Sequence, residues 1–298
     1  MRVAHARPTH RIAFASDAEG VEGLAVTGFS ALERNSRPVH LCIIEDRVPK
    51  GAQQGLDALW RQCPAYAGAT FIAMASLPVP MPTHWIREGW PLTSAARFQP
   101  AEVLPAGVKR CIYLDIDILV GTDLAELYDF ELHGRPVGMV PNTRMGDHVK
   151  DYLRTIDLDP GVYCNAGVLL IDLDAWRRET AGPNLIKCGI AMPADIWFFD
   201  QDMLNTYFKG RTQLLDERWN FRDADANPAG RVIHFAGNAK PWNLTAATAL
   251  YAGHLAWHQA KQRSGFKPRP VPARVKWHKA VSVLAAKVQR RLLRLTRA

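Results

Sequence analysis

The sequence predicts an α/β domain built on a mostly parallel sheet with helices on both faces. Two observations carry that expectation. Short, strongly apolar runs alternate with helix-length segments along the chain, and strands this apolar belong to sheets buried on both faces. Acidic residues also follow directly on apolar runs, at Asp17 and at Asp115 and Asp117; these are strand ends, where such sheets bind ligands. At 298 residues the chain can bury a large core, in one large domain or two smaller ones.

The elements follow in order. Arg11–Ser16 reads as a first strand, and residues 21–34 as a helix with Leu24, Gly28, Ala31 and Leu32 on its apolar side. Val39–Ile44 reads as a second strand, 52–62 as a second helix and Thr70–Ala75 as a third strand. Cys111–Val120 reads as a fourth strand, with Asp115 and Asp117 inside an otherwise apolar run. In one continuous strand the two carboxylates point to the same face. Burying them unpaired is costly. A divalent cation with anionic phosphates beyond it relieves that cost, because hard cations take oxygen ligands.

The second half repeats this logic. Val162–Ile171 is a further strand with Asn165 and Gly167 embedded in it, and glycine within a strand marks close approach of a ligand or another backbone. Asp172 opens a helix with acidic residues in its first turn. Phe199–Phe208 reads as a helix start presenting Asp200, Gln201 and Asp202. The run from Arg231 ends as a strand in His234, followed by a Gly/Pro loop that holds Gly237 and Lys240 and suits phosphate capture. Neither a Walker-type G-x-x-x-x-G-K nor a G-x-G-x-x-G pattern occurs.

Composition bounds the class. A hydrophobic content of 48% and a charged content of 22% are those of a soluble globular protein. No apolar run approaches the roughly 20 residues that span a bilayer. The basic stretch Met1–His10 is not followed by a long apolar run, so no secretory leader is expected. The 5 cysteines are scattered and form no C-x-x-C pair, which fits a reducing cytoplasm and neither a disulfide framework nor a zinc site.

Net charge is +8, yet residues 261–298 alone hold 5 Lys and 7 Arg with no Asp or Glu, so residues 1–260 sum to −4. The basicity belongs to an appendage, which points to an anionic surface met by the tail alone. Residues 264–273 contain three prolines and read as an extended linker. Beyond it Val281, Leu284, Val288, Leu292 and Leu295 recur at helical steps among Lys287, Arg290, Arg291 and Arg294, with Trp277 near the start. Such a basic amphipathic helix suits an anionic membrane surface. The alternative is a helix docked on the body with a solvated charged face. Nucleic acid is not expected, because aromatic residues are not interleaved for base stacking.

Four motifs occur in order: Tyr113-Leu-Asp-Ile-Asp117, Cys164-Asn-Ala-Gly-Val-Leu-Leu-Ile171, Asp200-Gln-Asp-Met-Leu-Asn205 and His234-Phe-Ala-Gly-Asn-Ala-Lys-Pro-Trp242. Together they resemble glycosyltransferase family 8, and especially its bacterial lipopolysaccharide galactosyl- and glucosyltransferases, from about Arg11 to Trp242. The resemblance implies a GT-A-type domain over residues 11–260. It also implies a basic, Pro-containing, membrane-associating tail over 261–298, and a cytoplasmic protein held at the inner face of the cell membrane.

The resemblance implies roles residue by residue. Asp115, Asp117 and His234 would hold Mn²⁺, or alternatively Mg²⁺, at the diphosphate of a UDP-sugar, and two hard oxygens with one imidazole suit such an ion. Lys240 and the backbone at Gly237 would bind the diphosphate. Asp17 would meet the uracil, and Arg97 the diphosphate and donor sugar. Asn142 stands where the family commonly has Asp. Asn165, Asp200 and Gln201 would meet the sugar and its anomeric region. Retention at the anomeric carbon is implied, and classical retention uses a carboxylate nucleophile, whereas the matching residue here is an amide, Gln201. That favours same-face attack, with Asp200 or Asp202 as alternative nucleophiles and a helix-start acidic turn as the structural reading of Asp202.

Two stretches depart from the family pattern. Ala18-Glu19-Gly20 lacks the aromatic residue often found after the first acid. Pro78–Pro91, with His84, Trp85 and Trp90, is expected to form a loop over the site, its tryptophans either stacking on sugar or packing. The expected reaction is hexosyl transfer from a UDP-sugar to a bacterial surface-glycan acceptor. The competing readings are a sugar nucleotidyltransferase and a non-catalytic nucleotide-sugar-binding protein. The first of these would carry a Gly-rich, basic signature after the first strand, where this chain has Asp17-Ala-Glu-Gly20.

Overall fold

Successive residues of the central strands bury opposite sides, and that sets the layers. In β1 (His10–Asp17), Ile12 and Phe14 enter the core on one face and Ala13 and Ala15 the core on the other. In β2 (Val39–Asp46), Leu41 and Ile43 likewise oppose Cys42 and Ile44. β3 (Tyr66–Ala73) lies half-exposed at the sheet edge. In β4 (Arg110–Leu114), Ile112 and Leu114 oppose Cys111 and Tyr113. A sheet apolar on both faces needs helices on both, as the sequence predicts. The computed structural model describes residues 9–79, 82, 85, 92–193, 196–237, 240–243 and 251–267. His84, Trp90, the tail from residue 268 onward with Trp277, and its apolar repeat lie outside the described residues.

Helices α1 (Val21–Glu33) and α2 (Lys50–Trp60) connect the first three strands. They sit close because Gly28 leaves room for the Trp60 ring, only 2.7 Å from where a Cβ would stand. The Trp60 indole N–H donates to the Ala25 carbonyl at 3.2 Å.

The fourth run is not one strand. β4 stops at Leu114, and Asp115-Ile116-Asp117 forms a turn before β5 (Ile118–Val120). The expectation that both carboxylates project from one face of a continuous strand is therefore corrected. The backbone leaves the sheet there because Thr27 of α1 binds the turn: its hydroxyl lies 2.7 Å from the Ile116 carbonyl and 2.8 Å from that of Ile118.

The second half adds β6 (Val137–Pro141), β7 (Cys164–Asp172), β8 (Thr212–Leu214) and β9 (Val232–His234). The seven-stranded sheet has the order β3-β2-β1-β4-β7-β6-β8. Strands β1 to β4 run parallel, β7 is antiparallel to both neighbours, and β6 and β8 are parallel to each other. β5 and β9 form a separate antiparallel ribbon in which Ile118 faces His234. The sequence reading omitted β6 and β8, which are 5 and 3 residues long.

Helices α3 (Asp147–Thr155), α4 (Leu173–Glu179), α5 (Ala181–Ala191) and α6 (Asp200–Tyr207) flank this half. The Asp172 carboxylate caps α4 by accepting from the Ala175 N–H at 2.8 Å. Helix α7 (Ala252–Ser264) closes the described chain, with Trp257 fully buried. Lys261 and Arg263, counted with the tail in the sequence, end this helix and pair with Glu22 and Glu33 of α1. Among the described residues no helix is long and apolar enough to cross a membrane.

Candidate active site

The chain reverses its direction of strand addition between β1 and β4, which are direct neighbours in the sheet. Such a switch point opens a crevice beyond the carboxyl ends of the strands, and Asp17 and Asp115 stand at those two ends. The turn after β1 lies against the turn after β4: a Cβ at Gly20 would sit 2.4 Å from Ile116 Cδ1. The Asp17 carboxylate accepts the N–H groups of Glu19 and Gly20 at 3.0 and 2.9 Å, shaping the entry to α1.

Asp115 and Asp117 meet His234 although more than a hundred residues separate it from them in sequence. One ligand atom from each lies within 4.8 Å of the others. His234 Nε2 is 3.3 Å from Asp117 Oδ1 and 3.8 Å from Asp115 Oδ2. The β5–β9 ribbon makes this junction, continued by the Phe235 N–H donating to the Asp117 carbonyl at 2.9 Å. Gly167 makes it sterically feasible, since a Cβ there would stand 2.2 Å from His234 Cε1. The close approach expected at this glycine is thus that of a side chain, the imidazole.

Lys240 ion-pairs with Asp117 Oδ2 and also donates to the Phe235 carbonyl at 3.2 Å. Burial by itself would raise the Asp117 carboxyl, but His234 and Lys240 hold it well below the usual carboxylate range. Gly237, between His234 and Lys240, has φ +95° and so needs no Cβ.

Arg97 is buried beside the pair. Its guanidinium bonds Asp115 at 2.8 Å, Asp200 at 3.1 Å and the Ala166 carbonyl at 2.7 Å, and lies 4.9 Å from the Tyr113 ring centroid. Burial disfavours its charge, yet the two carboxylates raise its pKa. Asp200 is the contested acid of this group. Burial pushes its carboxyl up to about 7 against the pull of Arg97, with Asp115 adding repulsion. Phe199, just before it, has φ +40°, a strained value for a bulky residue that the packing of its ring on Trp85 helps hold. Trp85 is itself 2% exposed, so it packs in the core.

A continuous polar chain leads away from His234. Its Nδ1 lies 2.8 Å from Asn220 Oδ1, and Asn220 Nδ2 donates to Asn165 Oδ1 at 2.7 Å. Asn165 Nδ2 donates to Gln201 Oε1 at 2.8 Å, and Gln201 Nε2 donates to the Tyr163 hydroxyl at 2.9 Å. The hydroxyls of Tyr163 and Tyr152 donate to Asp202 at 2.5 and 2.6 Å, and the Phe198 N–H does so at 2.9 Å. Asp202 is fully buried and, through these bonds, anchors the segment before α6. Asn205 binds both backbone groups of Cys164, tying α6 to the start of β7. Asn142 follows β6 and donates its N–H to the Tyr163 carbonyl at 2.7 Å, while its buried Oδ1 has no hydrogen-bond partner among the described residues.

Thr27, Asn220, Tyr163 and Tyr152 were not singled out in the sequence. Thr27 lies in an apolar helix and Asn220 in a charged stretch, neither with a motif of its own, so only their buried hydrogen bonds mark them. A cavity of about 440 Å³, lined in part by Leu158, Phe208 and Leu214, includes Tyr163 and Asn205 but none of the clustered carboxylates.

A crevice at the sheet's switch point, with an Asp-Asp-His cluster and an adjacent lysine, is the candidate site, and comparison with known proteins places the chain. The chain belongs to glycosyl transferase family 8, whose model matches residues 11–246. It is 27% identical to the lipopolysaccharide 1,3-galactosyltransferase of Salmonella typhimurium over 59% of this chain and 56% of that protein. It is 24% identical to a putative glycosyltransferase of Haemophilus influenzae over 79% of this chain and 73% of that protein. It is 28% identical to general stress protein A of Bacillus subtilis over 51% of this chain and 60% of that protein. Against two of these relatives the match spans less than two thirds of their length. The fold is that of the galactosyltransferase LgtC, solved with donor and acceptor sugar analogues. That structure matches at a TM-score of 0.67 and 23% identity, over 87% of this chain and 98% of the other. The fold is thus GT-A-like, as the sequence resemblance implies.

Proposed function

We propose that the protein is a retaining, divalent-cation-dependent hexosyltransferase that moves galactose or glucose from a UDP-sugar to a lipopolysaccharide-type bacterial glycan. The observation that carries this reading is the Asp115–Asp117–His234 cluster, with Lys240 on Asp117, at the β1/β4 switch point. The donor set suits Mn²⁺, with Mg²⁺ as the alternative, because two carboxylates and one imidazole leave positions open for phosphate oxygens. When bound, such an ion supplies Lewis-acid stabilisation of the departing diphosphate.

This chain's own residues do the rest. Lys240, held at the cluster by Asp117, adds a second cation where negative charge grows, and the backbone at Gly237 would bind the diphosphate. Asp17, at the end of β1, meets the uracil. Arg97 acts through the carboxylates it pairs, orienting Asp115 and Asp200. Asn165, Asp200 and Gln201 fix the sugar. The bond from the anomeric carbon to the phosphate oxygen breaks and its electron pair leaves with UDP. The acceptor hydroxyl bonds the same face and gives its proton to the departing phosphate. Gln201 supports this course over a covalent one, since its amide is already bonded to Asn165 and Tyr163. Residues 268–298 attach the enzyme to an anionic membrane surface on the cytoplasmic side.

Incubation with UDP-galactose and UDP-glucose, Mn²⁺ and a glycan acceptor extract tests the reading. UDP should be released with one donor, chelator should stop it, and Asp117→Asn should lower the rate by at least about a hundredfold. Release of UDP from neither donor would overturn it. The anomeric configuration of the product decides retention.

A further inference from the structure

Asn220 lies in the short helical turn Glu217–Asn220, 1% exposed, and none of the motifs described above contains it. Its bonds determine which nitrogen of His234 carries the proton. Two backbone N–H groups, which can only donate, set the orientation of the chain: Gly167 N–H to Asn165 Oδ1 at 3.0 Å, and Ala166 N–H to Gln201 Oε1 at 3.3 Å. Asn165 therefore presents its oxygen to Asn220, and Asn220 must answer with its NH₂, at 2.7 Å. Only the Asn220 oxygen is left for His234 Nδ1, at 2.8 Å, so Nδ1 must be the protonated nitrogen. The Nε2 lone pair then faces Asp117 and Asp115. A lone pair turned on two carboxylates is repelled unless a positive charge lies among them, either a bound cation or, in its absence, a proton on Nε2 itself while Nδ1 keeps its own.

We propose that Asn220 is a positioning residue for the cation site. Through a single amide it locks His234 in the Nδ1–H tautomer, aims Nε2 at the Asp115–Asp117 pair, and couples that choice to Asn165 and Gln201 of the sugar site. Its role toward the cation rests on the reading of the cluster given above. Its hold on the ring does not. Partners of this kind fix ring orientation and ligand basicity, and losing one typically weakens metal binding about 10- to 100-fold.

The test uses the full-length chain labelled with ¹⁵N-histidine, metal-free, with the His234 signals assigned by their loss in His234→Gln. Two-bond proton–nitrogen correlations read the tautomer, and the free-Mn²⁺ paramagnetic resonance signal reads affinity. Wild-type His234 should be protonated at Nδ1. Asn220→Asp keeps the acceptor, so it should keep the tautomer and hold Mn²⁺ affinity within about threefold, while its lost donor to Asn165 raises the KM for UDP-sugar. Asn220→Leu should lose the tautomer and bind Mn²⁺ about 10- to 100-fold more weakly. An amide that served packing alone would predict similar Mn²⁺ affinity in all three proteins. An Nδ1 without a proton in the wild type, a measurement that needs no variant to fold, overturns the proposal. So does wild-type Mn²⁺ affinity in a folded Asn220→Leu. Nδ1 protonation in a wild type that binds no Mn²⁺ would sink the cation reading and leave Asn220's hold on the ring standing.

Discussion

At the scale of single residues, the site depends on what is missing from Gly167 as much as on what the acids supply. A methyl at that position would meet the imidazole at 2.2 Å, so Gly167→Ala must push His234 away from Asp117 or shift β7. The expected cost is about 1–3 kcal/mol of stability, read by urea unfolding, together with weaker Mn²⁺ binding. An unchanged affinity would show that the ring has room to move. Asp200 gives a pH signature. Burial raises its folded pKa to about 7, above its value in an unfolded chain, about 4. The folded state therefore holds the proton more tightly. The stability this contributes is complete below about pH 4 and is lost as pH rises through about 7. In metal-free protein, the melting temperature of wild type relative to Asp200→Asn should fall between about pH 5 and about pH 8. Parallel profiles would mean that Arg97 keeps Asp200 ionised throughout.

At the scale of elements, the link between α6 and β7 holds Gln201 and Asn165 in register. Asn205 satisfies the Cys164 N–H and C=O at 2.7 and 2.8 Å in the buried interior. Asn205→Ala leaves both groups unpaired, and each orphaned group costs about 1–3 kcal/mol. The variant should therefore unfold at markedly lower denaturant, and its donor KM should rise because Asn165 and Gln201 ride on the two tethered elements. A loss below about 1 kcal/mol would mean that water replaces the amide. The fourth strand shows why an element is harder to read than its residues. Its apolar pattern runs unbroken from Cys111 to Val120 apart from the two acids, yet Thr27, 89 and 91 residues away in sequence from the carbonyls it bonds, turns the chain out of the sheet. No local signal marks that partner. β8, of 3 residues, is too short for a periodic pattern to register.

At the scale of the whole molecule, the boundary between body and tail moves. Lys261 and Arg263 pair with α1 at 2.5 and 2.7 Å, so they serve the body. Deleting residues 268–298 should abolish sedimentation with vesicles rich in anionic lipid and leave the melting temperature unchanged. Deleting from residue 261 should lower the melting temperature as well, because it removes the end of α7. Sedimentation that survives the shorter deletion would sink the membrane proposal.

The sequence by itself determined the α/β class, the succession of strands and helices through the first half, the acids at the strand ends and the order of the four motifs. These are legible because burial on two faces, helical periodicity and strand-end chemistry are written in neighbouring residues. The tertiary structure decided that Asp115 and Asp117 sit in a turn, that Gly167 makes way for His234, that Asp202 is an anchor, and that Asn220 joins the Asp115–Asp117–His234 cluster to the Asn165 and Gln201 amides. Each of those depends on a partner that the chain brings in from a distant element. A hydrogen bond between residues 14 or more positions apart follows from where folding puts them, which local pattern does not encode.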